Sequence, residues 1–220
     1  MNLAVVGGGN FEKGSEIHFS KIIFQSNGYI KKSLFRYDNI YLGLQDFTLR
    51  FFEHDDKLKY KRYQKVLDIM FCDKEIINMI LHKSETSEIN YFKEYSKINI
   101  IDILSHKNVI VDLFKFFSFS ELIRVYTCKE LMLLVLLFLG LKRKINSSTR
   151  PSNGFYNILR MCLLLESNSQ LHCFGFSNPG IEIYKNDYLN FNYRPHQKID
   201  TLIYNKIINN YSNVFWNEID

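Results

Sequence analysis

The sequence predicts an α/β protein: a Rossmann-like, mostly parallel sheet flanked by helices, in a single domain spanning residues 1–220. Two observations carry this. Short, wholly apolar runs recur and end in glycine or other turn residues, which is how buried parallel strands read. Amphipathic stretches alternate with them, as helices in crossover connections do.

The first run is residues 3–6 (LAVV), which stops at Gly7-Gly8-Gly9-Asn10. Glycine lets backbone approach a ligand closely, so this reads as a strand feeding a ligand loop with bare backbone amides. Residues 21–26 (KIIFQS) form a second strand, ended by the turn signal Asn27-Gly28. Residues 38–54 show no clear period. Residues 65–72 (KVLDIMFC) read as a further buried strand. Asp73 is then placed to cap a helix over 74–82, with Ile76, Ile77, Met79 and Ile80 inward. Residues 108–111 (NVIV) are read as a strand. Residues 120–141 are helical by composition, with Ser118 or Ser120 as N-cap. The polar stretch 145–154 (INSSTRPSNG) is a loop, followed at once by a helix over 155–166. Residues 170–176 (QLHCFGF) are a strand, and 196–211 a last helix with Ile199, Leu202, Ile203, Ile207 and Ile208 on one side.

Composition narrows the function. Aromatic residues make up 15% of the chain, ample for a core, so global disorder is excluded. The net charge of +5 comes from 28 basic and 23 acidic residues dispersed along the chain. Dispersed charge does not suit a dedicated nucleic-acid binder. It suits an anionic ligand or an anionic membrane surface. Cys72, Cys128, Cys162 and Cys173 have no CxxC spacing and read as reduced, mostly buried thiols of a cytoplasmic protein. The N-terminus lacks the pattern of a signal peptide. Residues 131–141 (LMLLVLLFLGL) cover about half of the ~20 residues a bilayer span needs. They read as a core helix, with peripheral membrane contact as the lesser option because Lys142-Arg143-Lys144 follows.

Ligands of open α/β sheets bind at the carboxyl ends of the strands. Three polar loops would gather there: Gly7 to Asn10, Asn27-Gly28, and Arg150 to Gly154. The last puts Ser152, Asn153 and Gly154 at a helix start, where amides and dipole favour an anion. Together they suggest a nucleotide or nucleotide-sugar. Neither GxGxxG nor GxxxxGK[ST] is met. His196 is the best acid–base candidate, since Pro195 suits a helix start and sets the imidazole in a first turn. Asp200, four residues on, is placed to orient it. His172 reads as a packed residue, and His18, His54, His82 and His106 have no arranged partner. Neither HxxxH nor HExxH occurs, so a zinc or iron site is not expected.

These segments, in this order, resemble the sialyltransferases of the animal type and their bacterial relatives. Residues 4–17 (AVVGGGNFEKGSEI) are similar to the start of the family's long motif, VVGN-x-GNLKGS, and Asn27 to the Asn of its V-x-R-x-N segment, with Gln25 where the family has Arg. Arg150-Pro151-Ser152-Asn153-Gly154, the helix after it and residues 171–176 (LHCFGF) resemble the small motif, with Asn153 where the family has Thr. His196 and Asp200 resemble the very small motif, a His followed by an acid. The glycine loop is one residue shorter than the family's, and the His-to-acid gap is one residue shorter.

The resemblance implies the sialyltransferase variant of the GT-A-like fold and an inverting, metal-independent transfer of sialic acid, or a related acidic sugar, from a CMP-activated donor. No cofactor beyond that donor is implied, and Asp55-Asp56 lacks the spacing of a metal-binding DxD pair. Gly7, Gly8, Gly9, Asn10 and Asn27 would hold phosphate and ribose. Ser152, Asn153 and Gly154 would hold cytidine and phosphate, and His196 would be the general base. The acceptor would be a glycan of a bacterial lipopolysaccharide or capsule, and the enzyme cytoplasmic or peripheral to the inner membrane. Two alternatives stand beside this. One is another nucleotide-dependent Rossmann-like enzyme, an oxidoreductase or methyltransferase, although the second strand ends in Gln25-Ser26-Asn27 without an acidic ribose ligand. The other is a non-catalytic CMP-sugar-binding relative. Oligomeric state, linkage and acceptor are not encoded legibly.

Overall fold

The computed structural model describes residues 1–9, 11, 16–25, 29–45, 77–82, 98–104, 106–141, 149–179 and 196–217. Seven strands are hydrogen-bonded into one sheet: β1 (Asn2–Val6), β2 (His18–Gln25), β3 (Arg36–Gln45), β4 (Ile77–His82), β5 (Ile98–Leu104), β6 (Gln170–Phe174) and β7 (Val214–Asn217). Their order is β5-β4-β3-β2-β1-β6-β7, and every pairing is parallel. The fold is Rossmann-like α/β. The chain starts at the inner strand β1, steps outward to β5, and returns on the other side of β1 as β6. Strand order therefore reverses between β1 and β6, the place where such sheets open a crevice.

Among the described residues five α-helices follow β5 in the chain: α1 (His106–Phe116), α2 (Phe119–Ile123), α3 (Cys128–Phe138), α4 (Asn153–Leu163) and α5 (Gln197–Asn210). A 3-10 helix, Tyr29–Leu34, lies between β2 and β3. The helix α4 packs across β1, β2, β3 and β6, with α1 and α5 against it and α3 against α1. This explains why α4 is buried at nearly every position from Phe155 to Cys162. Alternation along the strands sorts the two faces of the sheet. Leu3, Val5, Leu171 and Cys173 join the core with Ile158, Leu159, Ile199, Ile203 and Ile207 of the helices. On the other face His172 and Phe174 meet Phe19, while Phe11, Phe24 and Phe35 close the same ring cluster, with Phe35 and Phe174 centroids 5.0 Å apart. His172 is packed as expected, and burial lowers its pKa by penalising the charged form.

Several expectations are corrected. Residues 77–82 are strand β4, not part of a helix over 74–82. The apolar run Ile77-Asn78-Met79-Ile80 satisfies both periods, and backbone pairing with β3 on one side and β5 on the other decides for strand. Residues 108–111 lie inside α1, because Val109, Ile110, Leu113 and Phe116 are buried at helical spacing beyond the short run. The helix expected over 120–141 is two. Ser118 caps α2, and Thr127 begins α3 with its own capping box. Ile208 is exposed, and Cys128 is an exposed thiol. His18 does have a partner: its Nε2 lies 2.6 Å from Asp38 Oδ1. The strands β3, β5 and β7 were not legible. The strand expected over 65–72 lies outside the described residues.

Candidate functional site

The carboxyl ends of β1 and β6 are joined by backbone. The Gly7 N–H donates to the Phe174 carbonyl at 2.7 Å, and the Gly9 N–H to the Gly175 carbonyl at 3.0 Å. A Cβ on Gly7 would sit 2.6 Å from the Gly175 oxygen, and one on Gly9 2.7 Å from it. Gly175 itself has φ +67°, a region that favours glycine. The glycines are thus required by this close approach of two turns. It also corrects the expectation of a row of bare amides, since those of Gly7 and Gly9 already donate within the chain. Gly8 is exposed and its amide takes part in neither bond.

The start of α4 lies beside this clasp. Ser152 is the N-cap, with extended backbone, yet its hydroxyl makes no cap bond to the helix amides. Gly154 passes so close to Phe176 that a Cβ would lie 2.5 Å from the ring. The same ring stands 3.1 Å from where a Cβ on Gly7 would be. Phe176 therefore bridges the glycine loop and the α4 N-terminus. From the far side of β1, the Gln25 side chain donates to the Asn153 carbonyl at 3.4 Å.

The segment entering α4 is held at three points by distant residues. Tyr126 donates its hydroxyl to the Thr149 carbonyl at 2.8 Å. The His196 Nδ1 lies 2.8 Å from the Arg150 carbonyl. The buried Asp200 carboxylate accepts from the Ser152 N–H at 2.9 Å. Burial pushes the Tyr126 phenol well up, aided by the negative charge of Glu130 and Asp200, so it stays a donor. A carbonyl can only accept, so His196 Nδ1 carries the proton, and in the neutral ring Nε2 is then the nitrogen with the lone pair. His196 is the residue just before α5 rather than a member of its first turn. Its Nδ1 meets the Arg150 carbonyl, and Asp200 grips Ser152.

No family model, no curated protein and no solved structure matches this chain. The topology and the site geometry therefore carry the functional argument. The structure brings Gly7, Gly8, Gly9, Ser152, Asn153, Gly154, His196 and Asp200 to the same end of the sheet. Asn10 and Asn27 lie outside the described residues. Sequence reasoning missed Lys31, whose ammonium donates to the Gly9 carbonyl at 2.7 Å and sits over the Phe11 ring at 4.2 Å. Burial lowers its pKa. Nothing local in the sequence links Lys31 to the glycine loop, because a 3-10 helix delivers it. Tyr126 was likewise invisible, as was the bond between the Arg150 carbonyl and His196, since both depend on contacts across the fold. The thiols of Cys162 and Cys173 are buried and raised in pKa, Cys162 to about 12, so neither is poised as a nucleophile.

Proposed function

We propose that this protein is an inverting glycosyltransferase of the sialyltransferase kind, moving an acidic sugar from a CMP-activated donor to a glycan hydroxyl. One observation carries the reading: His196 and Asp200, at the head of α5, are hydrogen-bonded to Arg150 and Ser152, at the head of α4. A candidate base and a helix end suited to an anion thus form one unit, beside the β1–β6 crevice. The order of segments that resembles the family's motifs supports the same assignment.

In this reading the α4 N-terminus meets the donor phosphate through its amides and dipole. Gly8 adds an amide, and Lys31 a positive charge within reach of the loop. Ser152 and Asn153 offer a hydroxyl and an amide group to the nucleotide, and Phe176 an apolar wall. Asn10 and Asn27 contact phosphate and ribose, as the resemblance implies. The proton on Nδ1 leaves Nε2 of His196 as base. It takes the acceptor hydroxyl's proton as that oxygen bonds to the anomeric carbon. The carbon–oxygen bond to CMP breaks, and its electron pair leaves on the phosphate. Helix amides aimed at that phosphate stabilise the developing charge.

The test is thermal shift with CMP, NAD and S-adenosylmethionine in parallel, followed by turnover of CMP-sialic acid with glycan acceptors. Ligand at 100 times its Kd adds roughly 2.7 kcal/mol of stability. A shift with CMP alone, and turnover abolished by His196→Ala, is the expected result. A shift with NAD or S-adenosylmethionine and none with CMP overturns the reading. CMP binding without turnover assigns the non-catalytic alternative.

A further inference from the structure

A surface lysine normally runs its stem along the protein and leaves its ammonium in water or against a carboxylate. Lys31 is held differently. The 3-10 helix Tyr29–Leu34 turns it back onto the glycine loop, where its Nζ donates to the Gly9 carbonyl at 2.7 Å and stands 4.2 Å from the centre of the Phe11 ring. That ring is itself fixed. Phe11 is buried against Phe35 and Phe174, with ring centres 5.6 and 5.7 Å away. An ammonium has three N–H donors and no acceptor. One is spent on Gly9, and among the described residues no carboxylate pairs with Lys31. Lys31 also lies outside every segment that resembles a family motif, so the resemblance assigns it nothing.

The loop under this ammonium offers a matching donor. The Gly7 and Gly9 amides are spent on the Phe174 and Gly175 carbonyls, and the exposed Gly8 amide between them has no acceptor among the described residues. The Gly9 carbonyl, which would repel an anion at the loop, is already bound by the cation. Phe11 belongs to the ring cluster on one face of the sheet, and α4 packs on the other. Positive charge thus comes to the end of β1 from one side and the amides of the α4 head from the other. Holding one carbonyl takes only one neutral donor. A full charge with two further N–H groups, beside an exposed amide, matches an oxyanion, and phosphate oxygens make strong bonds of this kind.

We propose that Lys31 is the residue that reads the phosphate of the nucleotide: its ammonium and the Gly8 N–H take a phosphate oxygen at the carboxyl end of β1, so the site selects a nucleotide over its nucleoside. The inference rests on the donor-site reading above and adds the source of its charge selectivity. It is tested by titration calorimetry of the full chain with CMP and with cytidine, for the parent, Lys31→Gln, Lys31→Arg and Lys32→Gln, each checked by circular dichroism. The parent is expected to bind CMP more tightly than cytidine. Lys31→Gln is expected to lose roughly tenfold to a hundredfold in CMP affinity, the range of a hydrogen bond to a charged group, and to bind cytidine within about twofold of the parent. Lys31→Arg keeps the charge and is expected to recover part of the loss. Lys32→Gln, which removes the neighbouring cation, is expected to leave CMP affinity unchanged. Rising salt is expected to weaken CMP binding to the parent more than to Lys31→Gln. Equal losses of CMP and cytidine in Lys31→Gln would make Lys31 a staple of the glycine loop alone. Unchanged CMP affinity, or an equal loss in Lys32→Gln, would remove it from the phosphate site. Each of these overturns the inference and leaves the donor-site reading standing, whereas a parent that binds neither ligand overturns that reading and the inference with it.

Discussion

The helices α2 and α3 close their N-termini locally, whereas α4 and α5 do not. Ser118 and Thr127 each accept from the backbone three residues on, and Glu121 and Glu130 reach back to complete the box. These ends are finished within four residues of sequence and have no amides turned toward a ligand by default. At α4 the cap hydroxyl of Ser152 makes no such bond, and the residue before α5, His196, makes none either. What holds these two ends is each other, through Asp200 to Ser152 and His196 to Arg150. Locally closed ends are finished by neighbours in sequence, while the heads of α4 and α5 are tied to each other by residues far apart along the chain.

The largest effect expected on this contrast is on chemistry. His196→Ala should lower turnover by roughly a hundredfold to ten-thousandfold, the usual contribution of a general base, with little change in melting temperature. A melting temperature that collapses instead would make His196 a clamp for the Arg150 segment rather than a base. Next comes Asp200→Ala, which strips a buried carboxylate acceptor from the half-buried Ser152 N–H. It should cost about 2–3 kcal/mol by denaturant titration, and Asp200→Asn should recover part of this. Tyr126→Phe removes the donor to the Thr149 carbonyl and should cost about 1–2 kcal/mol. Equal losses from Asp200→Ala and Thr127→Ala would erase the distinction between long-range and local caps, because Thr127→Ala should cost only about 1 kcal/mol.

The smallest effect is a pH dependence. The hydrogen bond from Lys206, with help from Ser118, holds the Glu121 carboxyl at about 2. The folded value lies below the unfolded one of about 4.3. Its stabilisation is therefore present above about pH 4.3 and is lost as pH falls toward 2. The pair is partly solvated, so the loss should be under about 1 kcal/mol. Comparing acid unfolding of the parent and Glu121→Gln checks it: the variant should lack this part of the slope.

Two kinds of information produced this structure. The sequence by itself determined that the protein is α/β, that residues 3–6 and 170–176 hold buried strands, and that Ser152 and His196 lie at or beside helix starts. Those signals are local: an apolar run closed by glycine, a cap residue, an amphipathic period. The glycine loop, Ser152 and His196 were legible as candidates for the same reason. Tertiary structure alone decided that 77–82 pairs as a strand, since a short apolar run fits either period until its neighbours supply hydrogen-bond partners. It also decided that Gly7 and Gly9 clasp the Gly175 turn, that Lys31 reaches the Gly9 carbonyl, and that Asp200 holds Ser152 across 48 positions. Such bonds join residues far apart along the chain, and their partners become neighbours only once β1 and β6 lie side by side.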